Sequence, residues 1–132
     1  MNEKFVLDAG ALSLHFVDHP GVRKYFDAII TRRCDGLICG INLAEFYYKT
    51  CQKSGKQTAE TWYYQLRNSE LLIIENDDLV KSAGIEKCTQ SPKLSLADCF
   101  ALALAKAENA ILITTDQELA KARGVSARHV KV

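Results

Sequence analysis

No apolar stretch in this chain approaches the roughly 20 residues that a membrane-spanning helix needs, so no such helix is expected. Cys-x-x-Cys pairs are also missing: Cys34, Cys39, Cys51, Cys88 and Cys99 are odd in number and irregularly spaced, which argues against a disulfide framework and a zinc ribbon alike. Reduced, mostly buried thiols are expected. The histidines His15, His19 and His129 form no His-x-x-x-His pair, so a histidine-built metal site is not indicated. Neither a Gly-x-Ser-x-Gly elbow nor a Gly-x-x-x-x-Gly-Lys-Ser/Thr phosphate loop occurs, and Asp8-Ala9-Gly10 does not continue into a dinucleotide fingerprint. Repeats, low-complexity tracts and linkers are absent. The N-terminus lacks the charged-then-apolar layout of a signal peptide, and a cytoplasmic protein is expected.

What remains is the make-up of one ordinary globular domain over residues 1–132, with 48% hydrophobic and 25% charged residues. Short apolar runs alternate with longer helical patterns. Strands are predicted at 4–8, 36–39, 71–75, 110–114 and 128–132. Helices are predicted at 9–17, from Pro20 to 31, at 41–53, 56–68, 77–87, 95–108 and 116–123. Such alternation predicts an α/β fold, a three-layer α/β/α sandwich around a mostly parallel sheet.

Four acids stand out on that framework: Asp8, Glu45, Asp98 and Asp116. Each follows an apolar strand or opens a helix, where an open parallel sheet gathers its ligand-binding crevice. Carboxylates brought together there repel one another unless a cation intervenes, and hard divalent ions such as magnesium or manganese suit clustered oxygen ligands. The chemistry this implies is metal-dependent hydrolysis, with a phosphodiester as the leading substrate. A plainer account exists for each acid. Asn42-x-x-Glu45 and Ser95-x-x-Asp98 read as capping boxes, and Asp8 and Asp116 occupy favoured N-cap positions. Against it, Asp98 is the single charge between Leu94 and Lys106 on an otherwise apolar helix, and Glu45 is set between Ala44 and Phe46. A carboxylate in such surroundings needs a partner.

Net charge is +1; setting the four acids aside leaves 12 acidic against 17 basic residues, a balance of +5 suited to a polyanion. Lys49 and Lys53, after Glu45 on its helix, are candidate contacts to a phosphate backbone, or else part of a solvated face. Trp62, Tyr63 and Tyr64 fall within one helical turn and cannot all point inward, which leaves a ring for a partner or for solvent.

These segments together resemble the PIN-domain family, especially its VapC-type toxins. Phe5-Val6-Leu7-Asp8 is similar to the opening strand and first acid, and Ile41-Asn42-Leu43-Ala44-Glu45 to the second acidic motif. Leu94 to Ala103 resembles the helix bearing the third acid, and Ile111-Leu112-Ile113-Thr114-Thr115-Asp116 the Thr-x-Asp motif. One departure is visible: Ala9-Gly10 follows Asp8 where many members carry a hydroxyl residue. The resemblance implies a magnesium- or manganese-dependent endoribonuclease, a homodimer, and an inhibitory VapB-type antitoxin. On this reading Asp8, Asp98 and Asp116 hold metal, Glu45 completes the catalytic set by orienting or deprotonating water, and Thr114 fixes Asp116 or a bound water. A PIN-type RNA-processing nuclease without an antitoxin, or a catalytically silent RNA- or metal-binding module, are the alternatives.

Overall fold

Five short apolar segments pair as parallel strands: β1 (Glu3–Leu7), β2 (Cys34–Cys39), β3 (Leu72–Ile74), β4 (Ile111–Thr114) and β5 (Ser126–His129). In this computed structural model, which describes residues 3–132, their order across the sheet is β3-β2-β1-β4-β5. Every pairing is parallel, with Phe5 opposite Gly36 on one side and Ile111 on the other.

Parallel sheets are covered on both faces, and the central strands show it. Val6, Leu7, Leu112 and Ile113 are fully buried. Successive side chains alternate between two cores, as the two-residue strand period requires: Phe5, Leu7 and Ile113 enter one, Val6 and Leu112 the other. The first core is closed by α1 (Ala9–Phe16), α2 (Pro20–Ile30), α3 (Gly40–Ser54) and α4 (Lys56–Arg67), which contribute Leu12, Phe26, Phe46 and Leu66. The second is closed by α5 (Val80–Thr89), α6 (Leu96–Glu108) and α7 (Gln117–Ala120), through Ala83, Leu102 and Leu119. The result is the three-layer α/β/α sandwich expected from the alternation of strands and helices.

Helix α6 carries the strongest local specification. Ser95 and Asp98 close a reciprocal capping box at its start, and Asn109, in the left-handed region at φ 51°, ends it. Residues Cys99 to Ala105 are all buried, because this helix lies against the sheet on one side and against α3 and α5 on others. Gly55 separates α3 from α4 at φ 93°, a conformation that disfavours any side chain.

Several boundaries differ from those expected. The last strand spans Ser126–His129 rather than 128–132, since Ala127 pairs with Leu112 while the chain leaves the ladder after Val130 bonds Thr114. Buried Val130 mimics a strand residue, but Val132 is 90% exposed. The helix expected over 77–87 opens with a 3-10 turn at Asp77–Leu79 and then runs to Thr89. Helix α7 stops at Ala120, three residues early. Among the cysteines only Cys39 and Cys99 are fully buried; Cys34 and Cys51 are half-buried and Cys88 is exposed, and none is paired. The aromatic trio divides as anticipated: Trp62 stacks on Phe16 with centroids 4.7 Å apart, Tyr63 meets Tyr47 edge-on, and Tyr64 is exposed. Among the described residues no helix is long and apolar enough to cross a membrane.

Candidate active site

The strand order reverses between β1 and β4, with successive strands added outward on either side, and there an open parallel sheet leaves a crevice at its carboxyl edge. Asp8 directly follows β1 and Asp116 follows β4, so two acids flank that crevice from adjacent strands. Helices α3 and α6 both begin at the same edge, α3 because it follows β2 and α6 because it runs down to β4. They bring Glu45 and Asp98.

Asp8 is the most enclosed of the four, at 6% exposure. Its Oδ1 accepts from the Ala11 amide at 2.8 Å, the N-cap bond of α1. Its Oδ2 accepts from the hydroxyl of Thr114, which is itself wholly buried. The Thr114 hydroxyl in turn accepts from the Asp116 amide at 2.9 Å. One hydroxyl thus fixes Asp8 and the start of the Asp116 turn together. Burial pushes the Asp8 carboxyl up to about 6; the bonds from Thr114 and Ala11 oppose this, and the Asp98 charge adds to it.

Asp98 is half-buried and also raised, by burial first and then, against its Ser95 bonds, by the charges of Asp116 and Glu45. Asp98 therefore feels the charge of Asp116 and Glu45 and adds its own to Asp8, which makes it the hub of the four acids. Its Oδ2 accepts from the Ser95 amide at 3.0 Å, while Oδ1 accepts no hydrogen bond among the described residues. Asp116 uses Oδ1 to cap α7, accepting from Glu118 and Leu119 at 2.8 and 3.2 Å, and its Oδ2 likewise accepts none among them.

The capping account is thus correct for Asp8, Asp98 and Asp116, yet it fails for Glu45. Helix α3 starts at Gly40 with Cys39 as its N-cap and no side-chain cap bond, so Asn42 and Glu45 form no capping box. Glu45 instead pairs with Lys49 at 3.2 Å. Burial works against the Lys49 ammonium, but Glu45, and more weakly Asp98, outweigh it and hold its pKa above the usual value. Lys49 is therefore part of the acidic cluster as well as its border, a role the four-residue spacing from Glu45 makes legible. Lys53, one turn further, lines with Lys49 a cleft of about 300 Å³ between α1, α3 and α4, bounded also by Ser13, Val17 and Trp62.

Two features went unread in the sequence. Asn42 is enclosed, with its Nδ2 donating to the Ala97 carbonyl at 3.1 Å. Gly10, beside Asp8, has no room for a side chain: a Cβ there would stand 2.0 Å from the Thr115 hydroxyl oxygen. The sequence signal was only the unusual glycine.

The donor set is all oxygen, which fits a hard cation. Among the described residues no three His, Cys, Asp or Glu side chains are drawn close enough to clasp an ion directly. The open oxygens of Asp98 and Asp116 are the available ligands, with Asp8 behind them.

Sequence and structure comparisons bear on the family and the fold. The PIN domain family profile matches residues 5–125. No curated protein matches the sequence. Among solved structures, VapBC2 from Rickettsia felis bound to a promoter DNA fragment superposes with a TM-score of 0.75 at 19% identity, covering 96% of this chain and 98% of that one. DNA-bound VapBC from Salmonella typhimurium gives 0.74 at 16% identity, with 96% and 98% covered. Mycobacterium tuberculosis VapC20, a toxin that cleaves the sarcin-ricin loop, gives 0.71 at 9% identity, with 88% and 92% covered. At these identities the likeness is one of fold.

Proposed function

The chain belongs to the PIN-domain family, and from that premise we propose that it is a cytoplasmic, divalent-metal-dependent endoribonuclease acting as the toxin of a VapBC-type pair. The observation that carries this reading is the gathering of Asp8, Glu45, Asp98 and Asp116 at the sheet's switch point without enough positive charge to balance them. A rival reading, a silent binding module whose acids only cap helices, accounts for three of them but not for Glu45, which caps nothing.

Magnesium or manganese, when bound, would neutralise the cluster, lower the pKa of a coordinated water and stabilise charge on the phosphate. Asp98 and Asp116 offer oxygens to it, and Asp8, whose two oxygens already accept from Ala11 and Thr114, would act on it from behind through a bound water. Thr114 holds Asp8 and the Asp116 turn at a fixed separation, so the ligand oxygens are positioned before substrate arrives. Glu45 presents the oxygen that Lys49 does not engage and takes the proton of the attacking water there. Lys49 and Lys53 lie on the path of an RNA backbone leaving the crevice, where phosphate contacts supply affinity without sequence preference.

The likeness to VapBC assemblies is the basis for assigning a VapB-type antitoxin and a homodimeric toxin as partners. Expression alone in a bacterial host tests the reading. Wild type should arrest growth and fragment RNA, Asp98→Asn should do neither, and an adjacent antitoxin gene, where present, should restore growth. RNA fragmentation without arrest would point to the processing nuclease instead. Neither effect from a folded wild type would remove the nuclease reading.

A further inference from the structure

Asn42 sits in the first turn of α3, three residues before Glu45 and so on the same side of the helix. It is 1% exposed. Its Nδ2 donates to the carbonyl of Ala97, the residue that precedes Asp98 on α6. That carbonyl can only accept, which fixes the amide's orientation. The other half of the amide is left alone: Asn42 Oδ1 is, among the described residues, the one buried side-chain oxygen or nitrogen without a hydrogen-bond partner.

Buried polar atoms are almost always satisfied, and an exception calls for a cause. An orphaned buried acceptor is costly to the fold, whereas an apolar side chain of similar shape removes the cost. The fold gains little from the Ala97 bond that could offset this, because a carbonyl inside a helix is already served by the backbone ladder. Leucine shares asparagine's branching at Cγ, though it is bulkier, and would suit the apolar neighbours Leu43 and Phe46 on the same helix. Stability alone therefore does not select asparagine here. Its placement does supply a reason. The amide joins the two helices that bring Glu45 and Asp98 to the crevice, and it keeps an acceptor open at their seam.

We propose that Asn42 is a positioning residue of the acidic site: its Nδ2 bond to Ala97 sets Glu45 beside Asp98, and its Oδ1 accepts from a water shared with those carboxylates. A buried water needs two to four polar partners, and these three side chains provide them. The inference rests on the reading of the acids as a divalent-cation site and extends it to a neutral residue outside the acidic set.

The experiment is calorimetric titration with manganese, beside urea unfolding of the metal-free protein, for wild type, Asn42→Leu and Asn42→Ala, each alone and with Glu45→Gln. Asn42→Leu should match or exceed wild type in metal-free stability, while its manganese affinity falls about tenfold, in the range seen when partners of metal ligands are removed. In the Glu45→Gln background the same change should cost less than twofold, because the water it helps hold has lost its other partner. Should Asn42→Leu pack badly, Asn42→Ala gives the same comparison without the larger side chain. Unchanged affinity in both variants, with wild type binding manganese, would overturn the role of Asn42 alone. So would losses that remain the same in the Glu45→Gln background, which would mark a tie of the core only. Failure of wild type to bind manganese would overturn the cation-site reading, and this inference with it.

Discussion

Asp8 makes a quantitative prediction for the metal-free protein. Its carboxyl stands at about 6 in the folded state against an ordinary 3.8. As pH rises through that window the unfolded chain gives up this proton before the folded one does. The folded state then binds more protons, so the Asp8 contribution to stability falls with rising pH and levels off above about 6. At 1.36 kcal/mol per pH unit of separation, the whole effect is on the order of 3 kcal/mol. The assay is urea unfolding of metal-free wild type and Asp8→Asn at intervals from pH 4 to 8, taking the difference between the two. Asparagine keeps an oxygen for the Ala11 cap but cannot ionise, so its own penalty is independent of pH. The difference should shift in favour of Asp8→Asn by roughly 2–3 kcal/mol between pH 4 and 7. A difference that stays flat across that range would refute the argument, since it would mean that Asp8 ionises as freely in the crevice as in water.

Three further outcomes follow from the same geometry. Because a Cβ at position 10 would meet the Thr115 hydroxyl oxygen at 2.0 Å, Gly10→Ala should cost about 1–3 kcal/mol in thermal or urea unfolding. Adding Thr115→Ala should recover most of that loss, and no recovery would mean that the two sites are independent. Metal affinity should drop as pH is lowered through about 6, where Asp8 takes up its proton in competition with the cation; calorimetric affinity that is constant from pH 5 to 8 would contradict this. Charge reversal of Lys53 should weaken RNA binding by Asp98→Asn protein and flatten its salt dependence, with a filter-binding slope that is unchanged placing Lys53 off the RNA path.

Much of this architecture is written in local pattern. The apolar runs at β1 and β4 and the alternation with helices are enough to imply a parallel sheet, and parallel pairing then sets Asp8 and Asp116 on one edge. The capping box of Ser95 and Asp98 was legible because it needs only a serine and an acid three residues apart. The same spacing misled at Asn42 and Glu45, where the helix begins earlier, at Gly40, directly after β2 and with no side-chain cap bond. Nothing in the local sequence could give the Asn42 bond to Ala97 or the contact of Gly10 with Thr115, since each joins segments far apart in the chain. The limits of β5 were misjudged for a related reason: its partner, not its own polar residues, decides where the ladder runs.

The central claim is that the four carboxylates form a cation-dependent phosphodiester-cleaving site. Its most direct test is incubation of a structured RNA pool with purified protein in magnesium, manganese or EDTA, beside Asp98→Asn. The account predicts discrete cleavage by wild type with either metal, none with EDTA, and none by the variant at unchanged fold. Cleavage that persists in EDTA or in the Asp98→Asn protein would contradict it.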